Sequence, residues 1–199
     1  RVKDAKTYDD ADKMLATEKS VEAVFICTPT HQHRALVDAC IAAGKHIYCE
    51  APLAHTVEDA KAIASAARGS SKVFQAGLLA RSNPVYSLAR SFYRTEAFLK
   101  LVSMRAQNAR KDSWRQAAST AERQARLDWR LHESTSTGLP GEWGTHQFDV
   151  FHWFSGKYPL RIHGNGAVRV WDDGRKVADT VNLALEFDQG ECLEYQATL

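Results

Sequence analysis

The stretch from residue 21 to residue 56 constrains the fold more than any other part of the chain. A short apolar run, Val24, Phe25, Ile26 and Cys27, ends in Thr28, Pro29 and Thr30. Between Thr30 and Gly44 the residues Ala35, Leu36, Ala39, Cys40 and Ala43 recur at helical spacing, with Thr30 as the expected N-cap and Gly44 just past the end. A second run, His46, Ile47 and Tyr48, ends in Cys49, Glu50, Ala51 and Pro52. Thr56 then opens another helix, with Asp59 completing a weaker form of the capping box, an apolar face of Ala60, Ile63, Ala64 and Ala67, and Gly69 as the stop. Residues 73–76 follow as a further short run. Strands of about five residues alternating with helices of about a dozen predict a parallel sheet joined by right-handed crossovers. Ligands of such sheets sit at the carboxyl ends of the strands. Residues 28–30 and 50–52 both lie at such ends and are expected to line one crevice.

The pattern changes near Gly77, which divides the chain into an expected first domain, 1–76, and a second, 77–199. Asn83 and Pro84 begin a helix expected through about Phe98, and a strand is expected over 99–107. Residues 109–137 are rich in Arg, Gln and Ser and show only a helix over about 119–127. Alternation over 160–171, 180–187 and 191–198, with turns at 172–174 and 188–190, predicts strands of an open sheet. At the other end, residues 6–8 read as strand-like and 9–17 as a helix. The fold class is therefore α/β: a partial Rossmann-type, doubly wound parallel sheet, then an α+β domain with an open, mainly antiparallel sheet.

The expected helix over 142–155 carries the best chemical candidates. Glu142 and His146 are separated by about 40° and His146 and Asp149 by about 60°, so the three share one stripe. By pattern alone, a histidine with Trp143, Phe151, Trp153 and Phe154 nearby is more commonly a satisfied core residue than a catalytic one. His31 and His33 lie two apart on a helix and His146 and His152 too far round it, so no metal site is expected. Cys27, Cys40, Cys49 and Cys192 form no C-x-x-C pair and read as reduced thiols, mostly in the core. The net charge of +2, with no basic stripe interleaved with aromatics, argues against nucleic acid. No apolar run approaches the roughly 18 residues that span a bilayer, so no membrane role is expected.

Several short motifs resemble the Gfo/Idh/MocA family of nicotinamide-dependent oxidoreductases. They are Thr28, Pro29, Thr30, His31, Gln32, His33; then Gly44, Lys45, His46; then Glu50, Ala51, Pro52; and the run from Glu142 through Gly144 and His146 to Asp149. The family's lysine in E-K-P is Ala51 here, and the aspartate before the helix histidine is Glu142. Alanine offers no donor, acceptor or charge, whereas glutamate keeps the carboxylate. The resemblance implies NAD or NADP as cofactor, met by Thr28, Pro29, Thr30, His33, Glu50 and Pro52, with a cis bond between Ala51 and Pro52. It also implies a sugar, cyclitol or related polyol as substrate, with Arg81, Trp129 and Arg130 as candidate sugar contacts. His146 would accept the hydroxyl proton as hydride leaves, and Glu142 or Asp149 would orient its ring. An NAD-dependent glycosidase, working by transient sugar oxidation, and a non-catalytic member are the alternatives, the first favoured by Ala51. No G-x-G-x-x-G turn is present, so the chain is expected to lack an N-terminal glycine-rich βαβ unit, and its stop within a strand-like run at Leu199 leads to the expectation that some C-terminal strands are missing too. An export signal would be lost with that start; the compartment is open, with the cytoplasm favoured. The C-terminal sheet is a candidate surface for a homo-oligomer.

Overall fold

The structure, a computed structural model, describes residues 4–95 and 100–199. They form two compact units, divided in sequence between Gly77 and Leu78. The helix end expected at Phe98 and the strand start at Leu99 lie outside the described residues.

In the first unit, strands β1 (Ala23–Ile26), β2 (His46–Glu50) and β3 (Phe74–Gly77) pair in that order, all parallel. Val24, Ile47 and Phe74 form one row of a face, and Ile26, Cys49 and Ala76 the next. Helices α1 (Ala11–Thr17), α2 (His33–Ala42) and α3 (Val57–Gly69) cover that face, packing Leu15, Val37, Cys40 and Ile63 on Ile26, Ile47 and Cys49. Each Leu, Val or Ile among them contributes roughly 1.5–3 kcal/mol by leaving water. Phe25 and Tyr48 are on the opposite face, ring centroids 5.2 Å apart.

The caps explain where these helices start. Thr56 accepts from the Asp59 N–H at 3.1 Å, as its position before α3 predicts. Thr30 does not cap α2. Residues Thr30–Gln32 form a tighter 3-10 turn closed by the Gln32 N–H on the Pro29 carbonyl at 2.9 Å, and α2 begins at His33. Gly44, with φ of 67°, takes the left-handed position past α2 and donates to the Ile41 carbonyl at 2.9 Å. Residues 6–8 are not a strand: the Lys6 and Tyr8 side chains both turn to the Glu18 carboxylate. Cys40 and Cys49 are buried free thiols, and burial pushes the Cys49 thiol up to about 12; Cys27 is exposed.

In the second unit, α4 (Pro84–Arg94) precedes β4 (Ser103–Ala109), and α5 (Ala121–Leu127), α6 (Gly138–Glu142) and α7 (Gly144–Ser155) precede β5 (Arg161–Ala167), β6 (Thr180–Glu186) and β7 (Cys192–Thr198). The sheet order is β4-β7-β6-β5; β4 runs parallel to β7 and the other pairs are antiparallel. The strand expected over 160–171 ends at Ala167. Beyond it, the N–H groups of Arg169, Val170 and Trp171 donate to the Asp179 carboxylate at 2.8, 2.9 and 2.8 Å instead of to a neighbouring strand. The turn between β6 and β7 falls as expected, with Gly190 at φ of 85°.

Candidate active site

The helix expected over 142–155 is two helices with Trp143 between them. Gly144 permits close seating of this corner on the sheet: a Cβ there would lie 2.7 Å from Phe148 Cε2 and 3.2 Å from Tyr195 Cζ. Tyr195 is fully buried, and its hydroxyl donates to the Leu139 carbonyl at 3.3 Å. The corner thereby places His146 in the wall of a cleft of about 810 Å³ within the second unit. Tyr93, Asn108, Arg110, Glu142 and Trp143 share that wall. The volume suits a small molecule, whose sites run roughly 300–1,000 Å³.

The two carboxylates expected beside His146 are engaged elsewhere. Glu142 ends α6, and Thr137 donates to it from its hydroxyl at 3.2 Å and its N–H at 3.4 Å, with Ser136 Oγ at 3.4 Å. Burial pushes its carboxyl above the usual range, opposed by Arg130, whose Nε is 3.6 Å away, and by the Thr137 and Ser136 donors. Asp149 accepts a two-pronged contact from Arg81, with Nη2 to Oδ1 at 2.6 Å and Nε to Oδ2 at 2.9 Å. His146 Nδ1 is buried with no hydrogen-bond partner. The expectation that Glu142 or Asp149 orients this ring therefore fails in this geometry: the break at Trp143 interrupts the stripe and Arg81 takes Asp149.

Arg81, Trp129 and Arg130 are not among the residues lining the cleft. Arg81 is committed to Asp149, and Arg130 lies over the Trp129 ring at 4.3 Å while facing Glu142. Arg81 and Arg130 thus face carboxylates, and the Trp129 ring lies under Arg130. The cleft instead recruits Arg110 and Trp143, with the Arg110 guanidinium 5.4 Å from the Trp143 ring centre. Trp143 meets Trp114 edge-on at 5.5 Å. Trp114 sits at φ of 60°, its N–H donating to Asp112 Oδ1 at 2.9 Å. The buried Arg175 donates to the Ser113 carbonyl at 2.7 Å and pairs with Asp173, whose carboxyl it holds well below the usual range. Arg115 ties the same loop to Asp128 at 2.9 Å. The sequence showed this segment only as polar, because its order comes from contacts distant along the chain.

In the first unit, the carboxyl ends of the strands carry Thr28, exposed, and Pro29, Glu50 and Pro52, half-buried. The Ala51–Pro52 bond is cis. Tyr48 donates to Glu50 Oε1 at 3.4 Å, and a Cβ on Gly77 would stand 2.6 Å from Glu50 Oε2, so only glycine lets the carboxylate lie there. Thr30 and His33, expected to meet the cofactor, instead have buried side chains. The His33 ring bridges two loops, Nε2 to the Thr28 carbonyl at 2.9 Å and Nδ1 to the Leu53 carbonyl at 3.2 Å. Its task is to hold the loops after β1 and β2.

Two family models match the sequence: an oxidoreductase family described by an NAD-binding Rossmann fold, over residues 2–78, and the Gfo/Idh/MocA C-terminal domain, over 99–198. The chain belongs to the Gfo/Idh/MocA family. Among its relatives, levoglucosan dehydrogenase of Pseudarthrobacter phenanthrenivorans is 29% identical over 73% of this chain and 36% of its own length. Inositol 2-dehydrogenase 1 of Saccharopolyspora erythraea is 38% identical over 36% of this chain and 22% of its own. The crystal structure of an inositol dehydrogenase homologue complexed with NAD+, from Azotobacter vinelandii, superposes with a TM-score of 0.81 at 19% identity, over 96% of this chain and 50% of that one. This Gfo/Idh/MocA chain thus spans about half or less of the length of these relatives.

Proposed function

We propose that this chain is the working part of an NAD(P)-dependent oxidoreductase that moves hydride between a nicotinamide and a sugar, cyclitol or related polyol. The observation that carries the reading is His146 in the wall of a small-molecule cleft, with a buried carboxylate, Glu142, in the same wall. The strand ends of the first unit fit a nicotinamide riboside chemically. Glu50, whose carboxylate lies over the bare Gly77 backbone, has oxygen lone pairs left to accept from ribose hydroxyls. Thr28, Pro29, Glu50 and Pro52 would hold that end. When bound, the nicotinamide supplies the acceptor for hydride.

The chain's own work is then proton transfer and placement. With Nδ1 of His146 buried, Nε2 is the nitrogen left to take the hydroxyl proton of the substrate. Glu142, in the same wall, supplies a carboxylate that Arg130 holds in place. The substrates named for the two dehydrogenase relatives, levoglucosan and inositol, support a polyol in the cleft. Ala51 supplies no group to the reaction, so His146 carries the proton transfer without a lysine.

The test is turnover of myo-inositol and levoglucosan with NAD+ and with NADP+, read as reduced cofactor. His146→Ala is expected to lower turnover by about a hundredfold or more, the usual share of a general base. Turnover within a few-fold of wild type removes His146 from the reaction. Cleavage of an aryl glycoside without net reduced cofactor points to the glycosidase alternative, which Ala51 favours.

A further inference from the structure

Two arginines line the cleft, Arg105 and Arg110. Arg105 pairs with Glu194. Among the described residues, no carboxylate lies within ion-pair distance of Arg110. Yet its guanidinium is placed. The Arg110 N–H donates to the Thr198 carbonyl at 3.0 Å, extending the β4–β7 pairing by one residue, and its side chain lies over Trp143. Trp143 rests on the buried Trp114, whose loop is anchored by Arg175, a side chain only 1% exposed. A cation on such a support loses little freedom when it meets a ligand.

The rest of the cleft leaves this charge unanswered. The acid in its wall, Glu142, is buried and faces Arg130, and the second arginine in the wall, Arg105, is taken by Glu194. A guanidinium presents a planar fork that matches carboxylate and phosphate oxygens in pairs. We propose that Arg110 is an oxyanion-recognising residue of the cleft, so that the preferred polyol carries a carboxylate or a phosphate ester. This rests on the oxidoreductase reading for the polyol, and on the geometry of Arg110 for the anion.

The experiment is calorimetric titration of the whole chain with glucose, glucuronate and glucose 6-phosphate, for wild type, Arg110→Met and Arg110→Lys. Wild type is expected to bind at least one of the two anions about ten- to a hundredfold more tightly than glucose, the strength of a hydrogen bond to a charged group. That preference is expected to shrink to about threefold or less in R110M, to survive in part in R110K, and to weaken with added salt. The two anions report separately whether a carboxylate or a phosphate is the better fit. Equal binding of glucose and both anions, no binding of either anion, or an undiminished preference in R110M overturns the proposal. Circular dichroism checks that each variant is folded, and if R110M is not, a preference in R110K equal to wild type overturns it as well. Reduced cofactor formed from glucose, with no anion preference, sinks this inference and leaves the oxidoreductase reading standing. An anion preference lost in R110M, with no reduced cofactor from any of the three sugars, from myo-inositol or from levoglucosan, does the reverse.

Discussion

At the scale of single residues, Glu142 shows that the proposed site is held at a cost. Burial disfavours its ionised form more than Arg130, Thr137 and Ser136 favour it, so its carboxyl is raised above the usual range. A raised acid contributes its full stability below the ordinary glutamate range and loses it as pH rises through the folded value. Glu142→Gln keeps the shape of the protonated acid and cannot ionise. The variant is therefore expected to match wild type in thermal stability in acid and to exceed it increasingly as pH rises to neutral. Turnover is expected to move the opposite way, because the ionisable group that Arg130 faces in the cleft wall is gone. Thermal melts across pH, paired with turnover at neutral pH, check both halves; a variant less stable than wild type at neutral pH shows that the Arg130 pairing outweighs burial.

At the scale of elements, the 168–179 connection shows how one side chain ends a strand. Asp179 is fully buried, and burial alone would raise its carboxyl, but donors from Arg169, Trp171, Val170 and Thr180 hold it below the usual range. Its stabilisation is present above the ordinary aspartate range and is lost as pH falls through the folded value. Asp179→Asn turns one acceptor into a donor and leaves buried N–H groups facing it, which is expected to cost about 2–4 kcal/mol near neutral pH. Denaturant melts should show that gap closing in acid; a gap that stays constant there assigns the effect to shape rather than charge. The same connection marks what the sequence could reveal. Repeating patterns are local, so the parallel strands, the Thr56 cap and the hairpin at Gly190 were legible from spacing and turn residues. The early end of β5 was not, because Asp179 reaches its partners through a turn no periodicity encodes. Nor was the break at Trp143 or the commitment of Asp149 to Arg81, a residue 68 positions away. His146 could be chosen from its motif; its lack of an orienting carboxylate needed coordinates.

At the scale of the whole molecule, each of the two units has its own core, one of Ile26, Val37, Ile47 and Ile63, the other of Leu131, Leu139, Val181 and Tyr195. The proposed cofactor residues belong to the first and the proposed proton acceptor to the second. A ligand that binds only folded protein stabilises it by about 2.7 kcal/mol at a hundred times its dissociation constant, and local opening is suppressed first where it makes contact. Hydrogen exchange read by mass spectrometry should therefore assign the two roles independently. With NAD+ or NADP+, slowed exchange is expected over residues 26–30 and 48–53, where the strand ends and the loops bridged by His33 lie. With myo-inositol, it is expected over 104–110 and 139–147, the segments that build the cleft wall. Cofactor protection that misses 26–30 and 48–53 removes Thr28, Pro29 and Glu50 from the proposed site. Polyol protection that misses 139–147 removes His146, whatever turnover shows, because a proton acceptor must lie against the group it deprotonates.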